Sequence, residues 1–98
     1  MNITTIPKTD KDPTALLVVN CEDSTAVSKV VVTVRTEFGE AFVHVAYRSG
    51  AEWGYFVPNS VVLVGLGERS VGRFVASVIK PNATYAVHLN KEREAVGV

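Results

Sequence analysis

Between residues 27 and 57 the chain alternates apolar and polar side chains in runs separated by short turns, and few folds accommodate that pattern. Residues 27–36 (VSKVVVTVRT) place Val30, Val32 and Val34 on one side of an extended chain, with Lys29, Thr33 and Arg35 around Val31 on the other. Residues 41–48 (AFVHVAYR) set Val43, Val45 and Tyr47 on one side, opposite Phe42, His44, Ala46 and Arg48. Residues 53–57 (WGYFV) form the next run and Pro58 stops it. β-Branched and aromatic side chains suit a pleated, half-buried surface. The connections, 36–40 with Gly39 and then Ser49-Gly50-Ala51-Glu52, are too short for anything but antiparallel neighbours. A meander of antiparallel strands is the expectation.

Upstream, residues 15–20 (ALLVVN) read as a short strand closed by the acidic turn Glu22-Asp23-Ser24. Residues 1–13, polar with Pro7 and Pro13, read as a flexible lead-in to one domain over 14–98. After Pro58 the period changes. Val71, Phe74, Val75, Val78 and Ile79 recur at helical spacing and predict a helix at about 70–80. Ser70 suits its N-cap, Lys80 its last turn, and Pro81 its end. Residues 59–67 stay open between helix and strand, because Val61-Val62-Leu63-Val64 favours a strand and Gly65 and Gly67 weaken a helix by about 1 kcal/mol each. Residues 83–89 (ATYAVHL) alternate again as a last strand, followed by a charged tail. The fold class expected is α+β, an antiparallel meander sheet packed against one or two short helices, with a small all-β barrel as the alternative.

Ninety-eight residues, 47% of them hydrophobic, suffice for one core. Ten Lys and Arg balance ten Asp and Glu, and zero net charge argues against nucleic acid, whose binding rests on phosphate neutralisation. No apolar run nears the roughly 20 residues of a membrane span, and the start lacks a signal-peptide pattern, so a cytoplasmic protein without membrane attachment is expected. Cys21 is the single cysteine, which excludes an internal disulfide and reads as a small buried thiol. His44 and His88 read as solvated strand histidines, without the converging ligands a metal needs.

The stretch VVLVGLGERSVGRFVASVIK (61–80) imitates the strand, glycine turn and helix that hold a dinucleotide. The spacing departs from that fingerprint, since Ser70 stands where the third glycine belongs and Gly72 follows two residues late. The surrounding meander is also the wrong context. Turn glycines between packed elements are the simpler reading, with no cofactor and no catalytic residues expected.

Residues 43–80 carry a further pattern. Val43-x-Val45-x-Tyr47-Arg48-Ser49-Gly50 is followed by Trp53-Gly54-Tyr55 and Val57-Pro58, then by Ser70-Val71-Gly72-Arg73-Phe74 and Ile79-Lys80. This resembles the KTSC domain, a small family named for its place at the C-terminus of some lysyl-tRNA synthetases and also found free-standing in bacteria and phages. The sequence departs from that pattern at Gly65, Gly67 and Glu68, at Val75-Ala76 in place of Phe-Asn, and by one residue fewer between Tyr55 and Val57. The resemblance implies a meander sheet covered by helix and supplies no activity.

Two groups of residues are candidates for contact with a partner. Tyr47, Trp53, Tyr55 and Phe56 surround the 49–52 turn, and aromatic side chains at a surface are good anchors. Arg69, Ser70 and Arg73 gather at the helix start, with Lys80 one helix length away, where they suit an acidic loop or a phosphate. The expected function is therefore a non-enzymatic interaction module binding a protein partner. The resemblance extends this to a phage or mobile-element accessory protein acting on a host protein or complex, such as a defence system. Open sheet edges add the expectation of a homodimer. The alternative is an RNA- or tRNA-binding accessory domain, with Trp53 and Tyr55 stacking bases, and a nucleotide-binding protein ranks below both.

Overall fold

The computed structural model describes residues 2–6, 14–35 and 39–90. Six strands form one antiparallel sheet in sequence order, each beside the next: β1 (Ile3–Ile6), β2 (Thr14–Val19), β3 (Val27–Arg35), β4 (Glu40–Tyr47), β5 (Glu52–Pro58) and β6 (Tyr85–His88). The meander is as expected and the sheet stays open, with β1 and β6 at its two edges, so it is not a barrel. β1 lies within the segment read as a flexible lead-in. Its residues pair with β2 from Ile3 opposite Val19 to Ile6 opposite Leu16. Residues 7–13 and the tail at 91–98 lie outside the described residues.

Register fixes which side chains share a face. Val30 faces Val45, Val32 faces Val43, and Ala41 faces Val57. Leu17 and Val19 join them from β2, and Tyr55 from β5, and all are buried. This inner face is the side that alternation assigned to Val30, Val32, Val43 and Val45. Burying each such side chain contributes roughly 1.5–3 kcal/mol. A bulge shifts the register between Val27 and Lys29, where the Ser28 hydroxyl donates to Ala46 O at 3.0 Å. Gly50 takes φ +102° in the β4–β5 turn, a conformation open mainly to glycine.

Helices cover the inner face between β5 and β6. α1 (Asn59–Gly65) leaves β5 directly at Pro58. Tertiary packing decides its conformation against the strand preference of four consecutive apolar residues, since Val62 and Gly65 turn inward while Leu63 and Val64 remain exposed. The second helix, α2 (71–82), is an α turn Val71–Arg73, π-helical turns Phe74–Ile79 and a last α turn Lys80–Asn82. Ser70 Oγ accepts Arg73 N–H at 3.2 Å and caps its start. Pro81 does not end the helix but sits within its last turn. A proline ring crowds the carbonyl four residues back, and the widened turns, in which Lys80 N–H reaches Val75 O, accommodate it. Asn82 Nδ2 then donates to Val78 O at 2.8 Å. Val71, Phe74, Val75 and Ile79 complete the core with the inner face.

Because Val61–Val64 lie in α1, the strand–turn–helix unit that the glycines imitate does not form. Gly65 serves a different purpose: a Cβ there would meet Val78 Cγ1 at 2.6 Å and Phe74 Cε1 at 2.9 Å, so it lets the two helices touch.

Candidate functional site: the open face of the sheet

The opposite side of the sheet carries Leu16 and Val18 from β2, Val31 and Thr33 from β3, and Phe42, His44 and Ala46 from β4. β5 adds Phe56 and β6 adds Tyr85 and Val87. Among the described residues no helix lies over this face, since the helical core residues all join the inner one. Lys29, Glu40 and Glu52 share this face toward its ends, and the apolar side chains between them make a broader patch than the strict apolar–polar alternation of a sheet with one solvated face.

Aromatic rings organise its β4–β6 half. Phe42 and Phe56 are cross-strand partners with centroids 5.1 Å apart at 56°, and Phe56 meets Tyr85 at 6.1 Å and 49°. Phe42 leans over Gly54, whose missing side chain makes the room: a Cβ would lie 2.6 Å from the ring. Tyr85 is 62% exposed. His44 Nε2 and Glu52 Oε1 stand 3.1 Å apart, an ion pair when the imidazole is protonated. Glu40 accepts the Thr84 hydroxyl at 2.6 Å at the far end of β4.

The four expected aromatic contacts do not form one cluster, because strand alternation divides them. Phe56 belongs to the open face, and Tyr47, Trp53 and Tyr55 to the inner one. Tyr55 is buried, with its hydroxyl 3.1 Å from that of Tyr47. Burial, then the bond to Tyr47, pushes the Tyr55 hydroxyl well above the usual tyrosine range, with Lys80 opposing weakly. Lys80 Nζ sits 5.3 Å over the Tyr47 ring, a cation–π contact. Trp53 stacks on His88 at 4.7 Å and 6°, and on Tyr55 at 6.2 Å and 15°. His88 is therefore packed and not the solvated side chain expected, and Trp53 already has its stacking partners.

Arg69 and Ser70 line a separate polar cleft of about 170 Å³ with Asn2, Asn20, Asp23 and Ser24. Arg73 is exposed beside it. Lys80 lies at the other end of α2, so the basic residues split as well. Arg48, not singled out by sequence, holds two turns together by donating to Ser24 O at 2.8 Å and Cys21 O at 3.1 Å. Cys21 is buried, its thiol donating to Val19 O at 3.4 Å, and burial raises its pKa.

The open face was the feature least visible in the letters. Its signal was the apolar content of the second face of each strand: Leu16 and Val18, Val31 between Lys29 and Thr33, and Phe42 opposite Val43. Among the described residues no three His, Cys, Asp or Glu side chains gather as metal ligands, and no helix is long and apolar enough to cross a membrane. No family model, no curated protein and no solved structure matches the chain.

Proposed function

We propose that the chain is a non-enzymatic interaction module that docks a protein on the open face of its sheet. The observation that carries this reading is the apolar face itself, with Phe42, Phe56 and Tyr85 in contact and Leu16, Val18, Val31 and Val87 around them. Removing such a face from water gives about 25 cal/mol for each Å² buried, and large aromatic anchors concentrate that gain. Taken as kinship, the resemblance of residues 43–80 to the KTSC domain extends this reading to a phage or mobile-element accessory role toward a host protein. RNA binding is less well supported, because Trp53 is stacked on His88 and the cationic residues are dispersed.

The test compares the two faces. With a photo-crosslinking amino acid in place of Val31 or of Ala76 on α2, protein adducts form in cells from Val31 alone. Adducts to RNA, or adducts from Ala76 alone, overturn the reading.

A further inference from the structure

We infer that the partner on the open face is a second copy of this chain, packed sheet against sheet; this rests on the docking reading above and deepens it. Two pleated sheets pack at about 10 Å with their strands nearly aligned, so the natural complement to a broad apolar β-face is another such face. The area is sufficient. Six strands spaced at about 4.8 Å and averaging roughly 20 Å long give about 600 Å² per copy, or about 1,200 Å² in a pair, the lower bound for stable interfaces. Charge does not oppose the pairing. Two copies with no net charge do not repel; within the face His44 and Glu52 stand 3.1 Å apart inside one chain, and Glu40 accepts the Thr84 hydroxyl. Exposed Lys29 lies opposite Ala46 at the end of the face, where an acidic side chain of the second copy can meet it. The half-exposed aromatic row of one copy then finds apolar surface instead of water. The pairing uses the face and leaves the β1 and β6 edges outside it.

Sedimentation or light scattering of the full chain at about 100 µM gives a dimer mass, and the mass falls to that of a monomer on dilution to the low micromolar range. Phe56→Lys and Val18→Lys, on opposite sides of the face, each yield a folded monomer by circular dichroism. With Cys21 replaced by Ser, Val31→Cys at the centre of the face oxidises to a linked dimer and Ala76→Cys does not. A monomeric wild-type chain at about 100 µM overturns the inference. So does a dimer that links through Ala86→Cys on the β6 edge and not through Val31→Cys. The apolar dye anilinonaphthalene sulfonate separates this failure from that of the docking reading. A wild-type monomer whose dye binding falls in Phe56→Lys keeps the docking surface, whereas one that binds no dye loses both.

Discussion

Gly65 runs so close to Val78 that a methyl group on it would stand 2.6 Å from Val78 Cγ1, with Phe74 Cε1 at 2.9 Å. The two helices over the sheet cross where only hydrogen fits. Gly65→Ala gains up to about 1 kcal/mol of helix propensity but must part packed side chains, which costs roughly 1–3 kcal/mol, so the protein loses stability. Gly72, in the first turn of α2, has nothing within 4 Å of its missing Cβ, and Gly72→Ala raises stability by up to about 1 kcal/mol. Urea denaturation reads both signs. A Gly65→Ala chain as stable as the wild type would show that the helices are free to separate.

The Tyr47–Tyr55 hydroxyl pair predicts sensitivity to alkali. In the unfolded chain Tyr55 ionises near pH 10, while burial and Tyr47 hold its proton in the folded state to higher pH. Above about pH 10 the folded chain thus binds the extra proton, and stability falls as pH rises; below that value the contribution is fully present. The urea midpoint drops between pH 9 and pH 11, and Tyr55→Phe makes the drop shallower. Absorbance at 295 nm shows a late tyrosine step that the same substitution removes. An unchanged pH profile in Tyr55→Phe would mean that the hydroxyl is solvated.

Strand alternation carried most of the sheet into view, because period two is a local property: Val43 and Val45 announce a buried face without knowing their partners. What covers a face is not local. The letters of β4 give Phe42, His44 and Ala46 as the other side, yet nothing in them says that both helices lie on the opposite face. α1 was ambiguous for the same reason, since Val61–Val64 become helical through the inward packing of Val62 and the close crossing at Gly65. β1 escaped notice because four residues, Ile3–Ile6, gain their conformation only from the edge of β2. The aromatic candidates were grouped by sequence proximity, and adjacent strand positions such as Tyr55 and Phe56 point to opposite faces.

Cys21 lies at the entry to the β2–β3 turn with its thiol buried and its pKa raised by desolvation. The thiolate is the reactive form, so both access and ionisation suppress its chemistry. At pH 8 a disulfide reagent modifies the native protein at least about 100-fold more slowly than the urea-unfolded chain, at a rate set by local opening. Equal rates in the two states would place the thiol at the surface.

Asn90 is a buried amide that closes the end of the sheet. Its Oδ1 accepts Glu52 N–H at 2.9 Å and its Nδ2 donates to Gly50 O at 2.7 Å, so one side chain ties the end of β6 to the β4–β5 turn. Asn90→Ala strands both backbone groups and costs about 1–3 kcal/mol, with faster hydrogen exchange at the Glu52 amide. Asn90→Asp keeps the acceptor for Glu52 but sets a carboxylate oxygen against the Gly50 carbonyl, which raises the pKa of the new group in the folded state. A raised folded pKa gives stability at low pH that is lost as pH rises. Relative to Asn90→Ala, the aspartate variant therefore gains at pH 4, where the protonated carboxyl donates to Gly50, and loses that gain by pH 7. A difference between the two variants that does not change with pH would show that the amide nitrogen contributes nothing at this turn.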